Sequence, residues 1–239
     1  MENTFRDVNI ALANEFSLIA DKFRFDISAT IELANKHPRV NILQPGIGVG
    51  GHCIAIDPWF LTEDIDGLNV IRAARELNDE MPKHTAGRIQ NKIAPSVRRI
   101  GILGVSYKPD VDDARETPAL EVARLLSERY EIRCHDPFVK AWEFELFPLE
   151  EVDGWADALV VLSNHKIYGS KQFRSPLLSF DDLINAKRRE LELKQHHGAS
   201  DLKLASVVPR SSDSLPDAGQ APTPVLPDHD LPPKMVEQI

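Results

Sequence analysis

The first third of the chain carries apolar residues at helical spacing. Phe5, Val8, Leu12, Phe16 and Ile19 recur every three or four positions and predict one apolar face of a long helix, which needs a partner to bury it. Asp26 is placed to cap a second helix carrying Ile27, Ile31 and Ala34. A glycine-rich loop from Pro45 to Gly51 then interrupts the pattern. Pro58 suits the first turn of another helix. Val70, Ala73, Ala74 and Leu77 predict a further helix, which Pro82 should break or restart.

From about residue 97 the pattern changes to short apolar runs. Arg98 to Val105, interrupted by Gly101 and Gly104, predicts a buried parallel strand. Thr117-Pro118 is a helix start, a capping hydroxyl followed by proline, and Leu120, Val122, Ala123, Leu125 and Leu126 continue it. Ile132 to His135 predicts a second strand stopped by Asp136-Pro137, Leu149 to Trp155 a short helix, and Ala158 to Leu162 a third strand. This alternation predicts an α/β fold with a Rossmann-like, doubly wound parallel sheet. No aromatic residue follows Phe180, and seven prolines fall between 209 and 233. The expected organisation is a helical part over 1–92, an α/β part over 97–180, and a terminal part over 181–239. The last would hold a charged helix over 182–195 and a disordered, Pro-rich tail over 201–239.

Composition narrows the function classes. The 239 residues hold 37 acidic and 28 basic side chains, a formal charge of -9. No global basic footprint for nucleic acid exists, although a local pocket for a phosphate is compatible with this balance. Two cysteines, Cys53 and Cys134, cannot make a disulfide framework and suit a reducing compartment. No apolar run approaches the roughly 20 residues of a membrane span, and Met1-Glu2-Asn3-Thr4 has no signal-peptide character. The expectation is a cytoplasmic protein without a membrane partner.

Two stretches carry candidate chemistry. In Gly46-Ile47-Gly48-Val49-Gly50-Gly51-His52-Cys53, glycines allow positive φ and close approach of a ligand to the main chain. Asp57 would share a face with Cys53 if a helical turn starts there. A thiol beside a carboxylate suits covalent catalysis; the alternative is a tight turn with a small buried cysteine. His52, Cys53, Cys134 and His135 do not match zinc spacings, so no metal is expected. The second stretch runs from Tyr107 to Pro118, between a strand and a helix, where open α/β sheets bind ligands. Lys108 and Arg115 can meet phosphate oxygens there; the alternative is a solvated loop with local ion pairs. Gly101 to Gly104 lacks the glycine spacing of a dinucleotide fingerprint.

Together these stretches resemble the UDP-glucose/GDP-mannose dehydrogenase family. The likeness is carried by Glu2 to Ala11, His37 to Gly46, Gly48 to Ile54 with Asp57 to Phe60, and Tyr107 to Pro118. It covers roughly residues 1–165. The resemblance implies NAD-dependent oxidation of UDP-N-acetyl-D-mannosamine, or a related UDP-sugar, to the uronic acid through a cysteine thioester, as in polysaccharide biosynthesis. It implies a helical dimerisation domain followed by a UDP-sugar-binding domain, and so a homodimer. Cys53 matches the nucleophile, Asp57 the carboxylate that helps activate water, and Asn3 the amide that steadies an oxyanion. Arg39 matches an arginine that reaches the partner subunit's site. Gln44, Pro45, Gly46, Ile47, Gly48, Val49 and Gly50 match the loop around the sugar and phosphates. Lys108 matches a substrate contact and Arg115 a contact to NAD. The family's main NAD-binding domain and a catalytic lysine would stand ahead of Met1, so this chain alone is expected to be inactive, or complemented by a separate NAD-binding domain. A non-catalytic UDP-sugar-binding or dimerisation module, and the product of a disrupted gene, stay open as alternatives.

Overall fold

A computed structural model of the chain describes residues 1–65, 67 and 69–185. Four helices come first: α1 (Glu2–Phe23), α2 (Ile27–Ala34), α3 (Asp57–Thr62) and α4 (Asn69–Lys92). They are followed by β1 (Arg99–Leu103), α5 (Pro118–Ser127), β2 (Glu131–His135), α6 (Leu149–Trp155), β3 (Ala158–Val161), α7 (Lys166–Gly169), β4 (Leu177–Leu178) and α8 (Phe180–Ile184). The four strands are all parallel, in the order β2-β1-β3-β4.

The sheet forms because both of its faces are covered. Ile100, Ile102 and Val160 point to one side and pack with Ile89 of α4 and Val122 and Leu126 of α5. Leu103, Leu159 and Val161 point to the other and pack with Leu149 and Val152 of α6. Successive side chains of a strand alternate between faces, so one apolar run feeds both cores. Thr117 accepts a hydrogen bond from the Ala119 amide and caps α5, with Pro118 in the first turn, as the sequence predicts. Asp26 caps α2 by accepting from Ala29 N at 3.0 Å. Leu183 and Ile184 are buried, so this packing continues past residue 180. The predicted charged helix over 182–195 coincides with described structure only in α8, which starts earlier, at Phe180; the rest of it and the Pro-rich tail lie outside the described residues.

One helical expectation needs correction. α4 runs unbroken through Pro82. Proline removes the N–H that would bond the carbonyl four residues back; that carbonyl belongs to Asn78 and faces Gly48, where no side chain stands in its way. The helix thus loses one bond and continues. α1 turns another face inward and leaves part of its apolar row outside. Thr4, Asp7, Ala11, Asn14 and Ser17 are buried, while Phe5 and Leu12 are 73% and 45% exposed.

The buried face of α1 meets α4 through polar contacts. Arg75 forms an ion pair with Asp7, both side chains fully buried, and a second with Asp79 at 2.8 Å. Asn78 donates to the Asp7 carboxylate at 2.9 Å and accepts from Asn14 Nδ2 at 2.8 Å. Arg88 reaches Asp21 at 2.6 Å and Ser17 at 3.0 Å. Burial pushes the Asp7 carboxyl up, against the opposing pull of Arg75 and Asn78.

Candidate functional site

The glycine loop is fastened at both ends of its run. Asn14 Oδ1 accepts from Gly46 N at 2.8 Å, so the same asparagine that bonds Asn78 also holds the start of the loop. Ile47 drops its side chain into the sheet's core. Gly51 N donates to Arg115 O at 3.1 Å, joining the loop to the Tyr107–Pro118 stretch.

That joint depends on missing side chains. A Cβ at Gly50 would stand 2.5 Å from Glu116 O, 2.8 Å from Pro118 Cδ and 2.9 Å from Tyr107 Cβ. Gly51 has φ +89°, a backbone that side-chain-bearing residues rarely adopt, and an added Cβ would stand 3.1 Å from the Tyr107 ring. Gly50→Ala is therefore expected to lower stability by about 1 to 3 kcal/mol and to loosen the loop. At Gly46 the nearest atom to an added Cβ is 3.7 Å away, so Gly46→Ala should cost less than about 1 kcal/mol. Urea unfolding of the two variants checks the contrast; equal losses would mean that the joint is not tight.

Beyond the joint the chain turns at Cys53. Its carbonyl accepts from Ile56 N at 3.1 Å and Asp57 N at 2.8 Å, so Cys53 opens one helical turn that leads into α3. Cys53 is exposed, its sulfur 3.9 Å from His52 Nδ1. Asp57 accepts from Asn3 Nδ2 at 2.6 Å across 54 residues of sequence, so the first turn of α1 meets the first turn of α3. Asn3, Asp57 and the Cys53 turn are thereby brought together. The Arg115 guanidinium forks onto Asp113 at 2.6 and 3.0 Å. Those bonds hold the Asp113 carboxyl down at about 2.

Lys108 is exposed, with its ammonium 5.8 Å from the Tyr107 ring centre. Gln44 is exposed and Pro45 buried. Arg39 is exposed after α2, its amide donating to His37 Nδ1 at 3.3 Å; no contact links it to Cys53 or Asp57. A cavity of about 370 Å³ lies beside the loop, lined by Val49, Ile56, Trp59, Asn78, Pro82 and Glu116 among others. A second, of about 470 Å³, is lined by Asp113, Arg115, Phe138, Lys140 and Trp142 among others. Among the described residues, no three of His, Cys, Asp and Glu gather as metal ligands would, and no helix is long and apolar enough to cross a membrane.

The fit to a dinucleotide is narrow. Gly101 lies within β1 and Gly104 follows it, where a phosphate cradle would stand, but both are used for packing. A Cβ at Gly101 would strike Leu159 and Val152, and Gly104, with φ +81°, is pressed against Ser163. Arg115, exposed and joined through its carbonyl to the glycine loop, is a cation that can meet a phosphate.

Residues that sequence reasoning missed hold this site in place. Asn14 and Asn78 position the loop, and their signal was only polar residues recurring on a helix face. Ser106, Asp136 and His165, from the ends of three strands, form a buried polar cluster beneath Lys108. Nothing in their spacing links them.

Two family models match the chain: the central domain of the UDP-glucose/GDP-mannose dehydrogenase family over residues 1–80, and that family's UDP binding domain over residues 101–183. The UDP-N-acetyl-D-mannosamine dehydrogenase of Methanocaldococcus jannaschii is 50% identical over 169 residues, which are 70% of this chain and 40% of that protein. Among solved structures, the UDP-D-ManNAc dehydrogenase from Pyrococcus horikoshii superposes with a TM-score of 0.65 at 36% identity, covering 77% of this chain and 51% of that one. The UDP-N-acetyl-mannosamine dehydrogenase from Staphylococcus aureus gives a TM-score of 0.66 at 37% identity, over 77% and 45%. The chain thus spans about 40% of the length of its M. jannaschii relative.

Proposed function

The chain belongs to the UDP-glucose/GDP-mannose dehydrogenase family, and from that premise we propose that it is the thiol- and UDP-bearing part of a UDP-sugar 6-dehydrogenase acting on UDP-N-acetyl-D-mannosamine or a close relative. The observation that carries this reading is the hydrogen bond between Asn3 and Asp57, which sets an amide and a carboxylate one helical turn from an exposed cysteine.

The residues divide the work as follows. Lys108 and the glycine-loop amides hold the diphosphate, a cation and main-chain donors being what phosphate oxygens need. Bound NAD, with Arg115 as one of its contacts, would accept the hydrides that leave C6. Cys53 adds its sulfur to the C6 aldehyde, and its proton passes to the oxygen, giving a thiohemiacetal. Asn3 has a second amide hydrogen besides the one given to Asp57, and that donor steadies the oxygen as negative charge grows on it. The thioester arises once the second hydride and the hydroxyl proton have left the thiohemiacetal; Asp57, fixed by Asn3, then accepts a proton from the water whose oxygen bonds C6 as the C6–S bond breaks, freeing the Cys53 thiolate and the carboxylate product.

Calorimetry with UDP tests the binding half. Lys108→Ala should weaken UDP by about 1 to 3 kcal/mol, and no UDP binding by the unmutated chain would defeat the reading. For the chemical half, this chain tested by itself is expected to give no NADH from UDP-N-acetyl-D-mannosamine. Joined behind the N-terminal part of the M. jannaschii relative it should do so, and Cys53→Ala should abolish the signal. NADH formation that survives Cys53→Ala would rule out the thioester route.

We also infer a homodimer. α1 presents Phe5, Leu12 and Ile19 to solvent on one face, which a second copy would cover. Light scattering at micromolar concentration should report twice the chain mass; a monomer there would refute it.

A further inference from the structure

The crevice between the ends of β1 and β3, where an open α/β sheet most often takes its ligand, is filled by the protein's own groups. His165 is fully buried there. Its Nε2 lies 3.0 Å from Asp136 Oδ2, and its Nδ1 accepts from the amide of Asp110 at 2.8 Å. An acceptor at Nδ1 and a carboxylate at Nε2 define the neutral ring with its hydrogen on Nε2. Ser106, His165 and Asp136 are the residue types of a hydrolytic triad, but Ser106 Oγ approaches the same Nε2 that faces the aspartate. No proton relay runs through that arrangement, so the cluster has another role.

Its outlet is the turn that carries Lys108. Ser106 Oγ donates to Lys108 O at 2.8 Å. Two residues on, Asp110 is held three times: its amide by His165, and its carboxylate by the Lys166 amide at 3.1 Å and the Lys166 ammonium at 3.4 Å. Asp110 has φ 61°, a left-handed conformation that persists in a non-glycine residue only where the surroundings enforce it. Lys108 therefore stands between two fixed points, both set by the His165 cluster.

We propose that His165 is a positioning residue whose Nδ1 holds the Lys108 turn in the geometry that meets the diphosphate of a UDP-sugar. This rests on the proposed function above and deepens it: phosphate affinity is set partly by a ring that never touches the ligand.

The two ring nitrogens can be tested apart. An asparagine oxygen replaces Nδ1 as acceptor for Asp110 but gives nothing to Asp136; a glutamine amide replaces the Nε2 donor and leaves the Asp110 amide unbonded. With the full chain, three quantities are measured for His165→Asn and His165→Gln: hydrogen exchange at the Asp110 amide, UDP affinity and the thermal midpoint. His165→Gln should lose Asp110 protection and bind UDP about tenfold more weakly, while staying the more stable variant. His165→Asn should keep protection and bind within about twofold of the parent, with the lower midpoint. A purely structural role would rank the variants identically in all three readouts, and that result would overturn the proposal. So would unchanged exchange at Asp110 in His165→Gln. If the unmutated chain fails to bind UDP, the functional reading falls and the affinity role with it. The Asp110 amide then still decides whether His165 holds the turn.

Discussion

Asp136→Ala is expected to lower the stability of the chain by about 3 to 5 kcal/mol at pH 7. The carboxylate is fully buried at the end of β2. It accepts from the amides of Val105 at 2.8 Å, Ser106 at 3.2 Å, Phe138 at 2.9 Å and Val139 at 3.0 Å, and from His165 at 3.0 Å. Alanine leaves those donors buried and unmatched. Burial alone would push this carboxyl up, but the bond from His165 and the amides of Val139, Phe138 and Val105 outweigh it, so the net shift is well below the usual carboxylate range. A folded value below the unfolded one of about 3.9 stabilises the fold above that pH, and the contribution is lost as pH falls toward the folded value. The gap between parent and variant should thus be full at pH 7 and narrow below about pH 4. Urea titrations at the two pH values measure it. A loss under about 1 kcal/mol at pH 7 would mean that the donors find water instead.

A limiting thiol reagent should modify Cys53 at least about a hundredfold faster than Cys134. Cys53 is exposed at the turn after the glycine loop, whereas Cys134 is inaccessible in β2, and burial pushes its thiol up to about 12. Reaction at Cys134 therefore has to await an opening of the sheet. Mass-spectrometric mapping of iodoacetamide adducts at pH 8, before and after denaturation in urea, separates the two sites. Faster modification of Cys134 in the folded protein would contradict the placement of Cys53 in an open site.

The sheet was legible in the sequence because its signals are local. An apolar run of five residues, a threonine before a proline and an Asp-Pro stop each act on the neighbouring backbone. The three long strands and α5 and α6 follow from them. β4 was missed, since a two-residue strand has no period to detect. Pro82 misled because its cost is local but its remedy is not: the freed Asn78 carbonyl finds room at Gly48, 30 positions earlier in the chain. The apolar row of α1 is legible because its period is local. Which face turns inward was decided by Asp7, Asn14 and Ser17 finding partners on α4. Asn3 came only from resemblance to a family, and its hydrogen bond to Asp57 spans 54 residues that no periodicity connects. His165 was invisible for the same reason: its partners sit 29 and 55 residues away.

The polar seam between α1 and α4 also acts as a ruler. Two helices joined by leucines alone can slide by a turn, about 5.4 Å, and bury much the same area. A slide of that length here would part Arg75 from Asp7 and Asn78 from Asn14, stranding a buried charge and two amides at once. The seam tolerates one alignment. Asn3 lies one turn before Asp7 on α1, and Gly46 hangs from Asn14, so that alignment also sets the spacing between the amide at Asp57 and the loop that leads to Cys53. Substitutions along the seam should consequently be accepted in matched sets, Asp7 with Arg75 and Asn14 with Asn78, because either member changed alone moves the gauge by which the cysteine is placed.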